Sequence, residues 1–443
     1  MDGCQNKYML CEGGIFIFKS IYVKPAFLDS ESISENRSRY MVLVAWGLTL
    51  LGFGLVMDTP QNIISGLYRI IVEPDFLITD YISIGGLGAA FVNSGLLMLL
   101  STGMLRLLDI KITGAAVSSM WLMSGFGLFG KNILNVWFII IGVWMFARFQ
   151  KEKFSKYVYI ALFGTSLAPT VTQIMFGLSL SKTLSIPFGI LTGIAVGFIL
   201  PPLSSHMMRI HQGFNLYNIG FTAGIIGTIL VSIFKSYGLY MDTRIIWSTE
   251  YQGPLTILLM TLFLSMLVIG YIYNGMSFRG LQKLYKYSGR AVTDFLVLES
   301  FPVTLINMGI NGIFSTLYIL FVGGVLNGPI IGGIFTVVGF SAFGKHLSNI
   351  FPIFLGVSLG GLTKMWNVNE PGMLLAALFG TTLAPIAGQF GWRYGIIAGF
   401  LHSLVVQNVG YLHAGLNLYN NGFSGGIVAA TMIPIIEAFK KEE

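Results

Sequence analysis

The sequence predicts an all-α integral membrane protein made of two homologous inverted-topology repeats, each with about seven hydrophobic segments, some of them re-entrant or broken helices. Three observations lead there. Of the 443 residues, 54% are hydrophobic and only 10% charged, with a mean hydropathy of +0.75, whereas a soluble domain carries roughly a quarter charged residues. The chain also repeats itself: a constant offset of 214 aligns Gly66 with Gly280, Thr79 and Asp80 with Thr293 and Asp294, Asn93 with Asn307, and Gly114 with Gly328. Finally, each copy holds an odd number of apolar runs, so the second enters the bilayer in the opposite sense to the first.

The elements follow in order. Residues 1–40 form a polar arm expected on the cytoplasmic side, carrying both cysteines, Cys4 and Cys11, which read as reduced thiols. Repeat 1 covers 41–235, with apolar runs starting near Met41, Ser83, Ile112, Asn132, Tyr157, Ile186 and Gln212. An external connector, 236–254, leads to repeat 2, 255–434, whose runs start near Leu255, Val297, Leu326, His346, Met373, Tyr394 and Ala414; residues 435–443 form a cytoplasmic tail. Each run is about long enough for a span, for which ~20 residues are needed. Segments 112–149 and 326–365 either cross fully or are re-entrant, and parity is the same in both cases.

Charge supports this threading. With Arg37 and Arg39 inside, seven crossings put Arg148, Lys151, Lys153 and Lys156 inside, Asp58, Glu73, Asp75 and Asp80 outside, and Arg279, Lys283, Lys286, Arg290, Lys440 and Lys441 inside, as the positive-inside rule requires. The expected setting is the cytoplasmic membrane, multi-pass, with both termini cytoplasmic. The net charge of +7 is dispersed over loops, which argues against nucleic acid. Asp80 and Asp294 each follow Thr and open an apolar helix, as N-caps do. Glu299 is the carboxylate expected nearest the membrane core.

The strongest internal match is HQGFNLYNIGF (211–221) against HAGLNLYNNGF (413–423). On a helix of 3.6 residues per turn, His211, Asn215, Asn218 and Thr222 would form one polar stripe, as would His413, Asn417, Asn420 and Ser424. Gly220 and Gly224 would face the other way in a GxxxG spacing. Such a stripe needs water, a solute or another helix beside it. It serves either as glue between helices or as a track for a solute.

Lys131 and Lys345 follow Phe-Gly between two apolar segments and either snorkel at a bilayer face or lie at depth, where an ammonium points to an anion or a carbonyl. Asn135 and Asn349, four residues on, would lie on the same helical face as the lysines. In FGTSLAPTVTQ and FGTTLAPIAGQ a Gly and a Pro bracket hydroxyls, Thr165 and Ser166 in one copy, Thr381 and Thr382 in the other. This predicts a broken helix whose freed carbonyls could line a cavity, with Gln173 and Gln389 past each proline. There is no P-loop, GxSxG, HExxH or Cys/His cluster, so no cofactor, metal or enzyme activity is expected.

VNSGLLMLL (92–100) and SIPFGILTG (185–193) resemble segments of the urea-transporter family, although Gly189 stands where that family has Asn. With its paired HxGxNLYNxGF, the whole chain resembles an uncharacterised domain-of-unknown-function family of bacterial membrane proteins. Together these features lead to the expectation of a permease or channel for a small polar, urea- or amide-like solute, passing through a midplane site between the halves. The alternatives are an ion-coupled carrier of a small organic anion using Lys131 and Lys345, a membrane scaffold, or a membrane-embedded enzyme. The partners expected are the lipid bilayer and a small polar or anionic solute, with a homo-oligomer left open.

Overall fold

A computed structural model describes residues 30–241, 244–363 and 366–439; Cys4, Cys11, Lys440 and Lys441 lie outside the described residues. Repeat 1 contains α1 (Ser30–Met57), α2 (Pro60–Val72), α3 (Tyr81–Gly85), α4 (Leu87–Leu107), α5 (Gly114–Phe126), α6 (Val136–Phe149), α7 (Val158–Gly164), α8 (Ala168–Thr172), α9 (Lys182–Ile210) and α10 (Asn218–Ser236). Repeat 2 answers one for one with α11 (Gln252–Tyr273), α12 (Leu281–Leu284), α13 (Phe295–Leu298), α14 (Phe301–Phe321), α15 (Gly328–Phe340), α16 (Leu347–Thr363), α17 (Pro371–Gly380), α18 (Ala384–Phe390), α19 (Trp392–Val409) and α20 (Asn420–Phe439). The first helix starts at Ser30, inside what the sequence suggested was an arm reaching residue 40.

Ten helical stretches among the described residues are long and apolar enough to cross a membrane, α7–α8 and α17–α18 each forming one of them. The protein is a multi-pass membrane protein. The helices α5 and α15, at 13 residues each, extend only about 20 Å against a ~30 Å hydrocarbon core. They are half-length elements that end in buried Phe-Gly-Lys loops. The short amphipathic α2 has no apolar run to announce it; Thr59 caps its start and Ile63, Gly66 and Ile70 turn inward.

Matching pairs pack alike: α1 on α4 and α11 on α14, α6 on α9 and α16 on α19. Small residues permit this, as where Gly142 and Gly197 bring two backbones into contact. Between repeats, α5 lies along α15 and α10 along α20. Gly114, at the start of α5, sits against the Ala342 carbonyl just past α15, while Gly328, at the start of α15, sits against the Leu128 carbonyl just past α5. The two therefore run antiparallel. Likewise Gly220 meets Gly422, and Gly227, further along α10, meets His413, which precedes α20. Equivalent helices run in opposite directions, so the halves are inverted.

Asp80 and Asp294 tie the halves together. Each caps its own short helix, accepting from Ile82 N at 3.0 Å and Leu296 N at 3.0 Å. Each also caps a helix of the other repeat: Asp80 accepts from Gly328 N at 3.2 Å and Asp294 from Gly114 N at 2.8 Å. Asp80 further accepts from the Ser248 backbone and hydroxyl, at 2.9 and 2.7 Å. Beside it, residues 78–79 (β1) pair in parallel with residues 245–246 (β2), a two-residue departure from an all-helical chain that anchors the connector.

Candidate functional site

The repeated motif does not form the helical stripe its spacing suggested. The helix α9 stops at Ile210, and Gln212 and Gly213 take φ of 51° and 81°. Their counterparts Ala414 and Gly415 take 46° and 73°. Successive left-handed residues break a helix, so 211–217 is an irregular loop and α10 starts only at Asn218.

Every asparagine of the motif has a protein partner. Asn215 Nδ2 donates to the Gly422 carbonyl at 2.9 Å and Asn417 Nδ2 to the Gly220 carbonyl at 3.1 Å, which stitches the repeats together. Their Oδ1 atoms accept from Tyr217 N and Tyr419 N at 3.2 and 3.0 Å. Asn218 and Asn420 meet His211 Nε2 and His413 Nε2, each at 3.0 Å, and donate to the Ser204 and Val406 carbonyls. The hydroxyls of Thr222 and Ser424 donate to the carbonyls of Asn218 and Asn421. These groups hold the loops in shape.

The broken helices occur where the Gly and Pro pairs put them, as 3₁₀ turns at Thr165–Leu167 and Thr381–Leu383, about halfway along the spans Val158–Gly177 and Pro371–Phe390. At each break a carbonyl is taken by a donor from the other repeat. The Thr382 carbonyl accepts from Leu216 N and the Ser166 carbonyl from Leu418 N, each at 3.1 Å. Each motif loop thus docks on the break in the other repeat, deep in the membrane. The glutamines differ: Gln173 is buried, its Nε2 without a protein partner, while Gln389 is exposed at the end of α18.

The lysines are buried completely, so neither snorkels. Their loops close through Asn135 and Asn349, which donate to the Gly130 and Gly344 carbonyls at 3.0 and 2.9 Å and accept from Asn132 N and His346 N. The segment is a turn, so these amides do not share a helical face with the lysines. Asn93 donates to the carbonyls of Gly127 and Lys131, and Asn307 to those of Ser341 and Lys345, fixing each lysine backbone.

The lysine side chains turn toward the motif loops. Lys345 Nζ donates to Thr381 Oγ1 at 2.7 Å and to the Tyr217 hydroxyl, and lies over the rings of Tyr217 and Phe340 at 4.5 and 5.2 Å. Lys131 lies over Phe126 at 4.9 Å, with its Nζ 3.7 Å from Met123 Sδ. Thr165, the counterpart of Thr381, donates to the Leu162 carbonyl at 2.7 Å with its Oγ1 3.3 Å from the same sulfur, and Tyr419, the counterpart of Tyr217, has a buried hydroxyl with no protein partner. The two tyrosine rings touch, centroids 4.9 Å apart. Two lysine–threonine–tyrosine sets therefore meet at the seam between the repeats. Among the described residues neither lysine pairs with a carboxylate.

Among the described residues the fully buried carboxylates are Asp75 and Asp80 and not Glu299. Glu299, half-buried just before α14 with its side chain 8% exposed, has Lys283 at 3.0 Å and accepts from the Tyr287 hydroxyl at 2.7 Å. Asp75, placed by charge topology in an outer loop, is fully buried; its Oδ2 accepts from Thr172 Oγ1 at 2.8 Å and Asn135 Nδ2 at 3.2 Å. Selection by polarity passed over Tyr217 and Tyr419, although both lie inside the duplicated motif. Asn93 and Asn307 were visible as an aligned pair but gave no hint of their partners. Asp75 gave no signal.

Comparison with curated proteins and with solved structures gives no match. A family model described as a protein of unknown function (DUF1576) matches residues 59–236 and 273–438, one stretch in each repeat. The chain belongs to the DUF1576 family.

Proposed function

We propose that the protein is a carrier for a small organic anion, a monocarboxylate in its simplest form, recognised by the paired lysines between the inverted halves. The observation that carries this reading is two fully buried lysine side chains, neither of which pairs with a carboxylate among the described residues. An uncompensated buried cation costs several kcal/mol, and a bound anion offsets that cost. Each set offers a lysine to a carboxylate, the Tyr419 hydroxyl, which has no protein partner, offers a further donor, and the rings of Phe126, Phe340, Tyr217 and Tyr419 suit a short apolar tail. The site lies between repeats running in opposite senses, the arrangement in which rocking of one half against the other exposes a fixed site to each side in turn.

An uncharged amide-like solute is the weaker reading, because the asparagines that would bind it are already bonded to protein groups. The test is uptake by proteoliposomes of labelled short carboxylates, with urea as the neutral comparison. The expected result is carboxylate uptake that falls to background in Lys131→Gln and Lys345→Gln, both still folded by circular dichroism. Urea uptake without carboxylate uptake, or carboxylate uptake undiminished in both variants, overturns the proposal.

A further inference from the structure

In a duplicated fold every position has a counterpart, so places where the copies differ single out what one half does alone. The largest chemical difference surrounds Asp75. At the same offset repeat 2 has Gly289, and opposite Thr172 it has Gly388. A Cβ at Gly289 would stand 2.0 Å from the Gly344 carbonyl oxygen, and one at Gly388 2.1 Å from the Ser288 carbonyl oxygen. Repeat 2 fills this space with backbone. Repeat 1 has opened it and buried a carboxylate there.

A second difference leads inward from the carboxylate. On α8 and the turns around it, Ser166, Thr170 and Gln173 are spaced by four and three residues, which puts them on one helical face. All three are buried, and Ser166 Oγ, Thr170 Oγ1, Gln173 Nε2 and Asp75 Oδ1 have no protein partner. The line starts at the break beside Thr165, where the Lys131 set sits, and ends next to Thr172, which bonds Asp75. Its last stretch, Gln173–Gly177, is a π-helix, a distortion found mostly at functional sites. In repeat 2 the counterparts are Thr382, bonded to Asn215, Ile386, and the exposed Gln389, so no such line exists there.

We propose, on the footing of the anion-carrier reading, that Asp75 is a proton site coupling transport to the proton gradient, joined to the Lys131 set by Gln173, Thr170 and Ser166. The carboxylate takes a proton from water on one side and becomes a neutral acid. It releases that proton on the other side and returns to the carboxylate. One proton moving with one monovalent anion carries no net charge, so accumulation follows the pH gradient and not the membrane potential.

The surroundings suit a proton better than a metal cation, since Asn135 and Thr172 present donors to Asp75 and not carbonyl oxygens. Tyr81 is the other titratable group against it. Glu73, on the same loop, is turned to Arg244, and among the described residues no cation contacts Asp75. This loop lies outside the membrane-spanning helices. Burial pushes the Asp75 carboxyl up to about 8, with hydrogen bonds from Tyr81, Thr172 and Asn135 acting the other way.

The test has two arms. Infrared titration of the purified protein should show a protonated-carboxyl band that fades near pH 8 and is missing from Asp75→Asn; absence of that band from the unaltered protein overturns the proton site. In proteoliposomes, a gradient of about one pH unit should give about tenfold carboxylate accumulation, unaffected by a potassium diffusion potential. Asp75→Asn and Thr170→Ile should abolish that accumulation while retaining carboxylate counterflow. Full accumulation in Asp75→Asn, or loss of counterflow along with it, overturns the coupling role. Lack of any carboxylate movement in the unaltered protein overturns the carrier reading, and the infrared band then decides the proton site on its own.

Discussion

Lys131→Met should yield a protein that is more stable and does not transport. The lysine ammonium touches Met123 Sδ at 3.7 Å and the Phe126 ring at 4.9 Å. The ring contact contributes about 1–2 kcal/mol. Holding the charge in an apolar interior costs about 2.5–3.5 kcal/mol on insertion scales. Methionine fills nearly the same volume, so the substitution should stabilise by about 1–2 kcal/mol. Lys345→Met should not. Its ammonium donates to Thr381 Oγ1 and the Tyr217 hydroxyl, charged hydrogen bonds of about 1.5–3 kcal/mol each, and the change removes both. That variant should lose about 1–2 kcal/mol, a difference of roughly 2–4 kcal/mol between two symmetry-related positions. Reversible unfolding in mixed detergent and dodecyl sulfate micelles measures it. Equal destabilisation of the two variants would show that Lys131 is compensated, and the argument for an anion at that lysine would fail.

Two further outcomes test other parts of the structure. Gly220→Ala should destabilise by about 1–3 kcal/mol in the same assay, because its Cβ would come within 2.7 Å of Tyr419 Cβ and 3.1 Å of Gly422 Cα; Gly253→Ala, with nothing within 4 Å, should be neutral or stabilise by up to about 1 kcal/mol. Asp75 sets a pH dependence: its folded-state carboxyl, raised from 3.8 to about 8 by burial, holds a proton that the unfolded chain releases. Its stabilisation is therefore complete below about 3.8, declines as pH rises and is gone above about 8. Thermal melts should fall from about pH 5 to about pH 8 and then level off, and Asp75→Asn should remove that slope.

The membrane class, the duplication and the two helix breaks were legible because each rests on local composition or on comparing the chain with itself. The inverted packing was legible through parity and charge. What could not be read is what depends on partners from the other repeat. His211 to Thr222 fits a helical stripe by spacing alone, and only the positive φ of Gln212 and Gly213 turns it into a loop docked on Thr382. Asp80 and Asp294 were visible as caps of the helices that follow them, while their second acceptor duty lies across the chain. Lys131 and Lys345 could not be assigned a depth, since half-length helices and full spans give similar apolar runs. Asp75 read as a solvated loop acid because the fold that buries it involves Asn135 and Thr172, distant in sequence.

The crossed caps bear on how the protein is made. The start of α5 waits for Asp294, which the ribosome delivers 180 residues later, an interval on the order of ten to thirty seconds at ordinary synthesis rates. Through that time Gly114 N, at the start of a helix already in the lipid, lacks this acceptor, while Thr113 of its own copy caps Ala116 N, so insertion machinery must shelter the early half until its sibling arrives. A gene fragment encoding either half alone should yield a product that survives only by assembling head to foot with another molecule of itself.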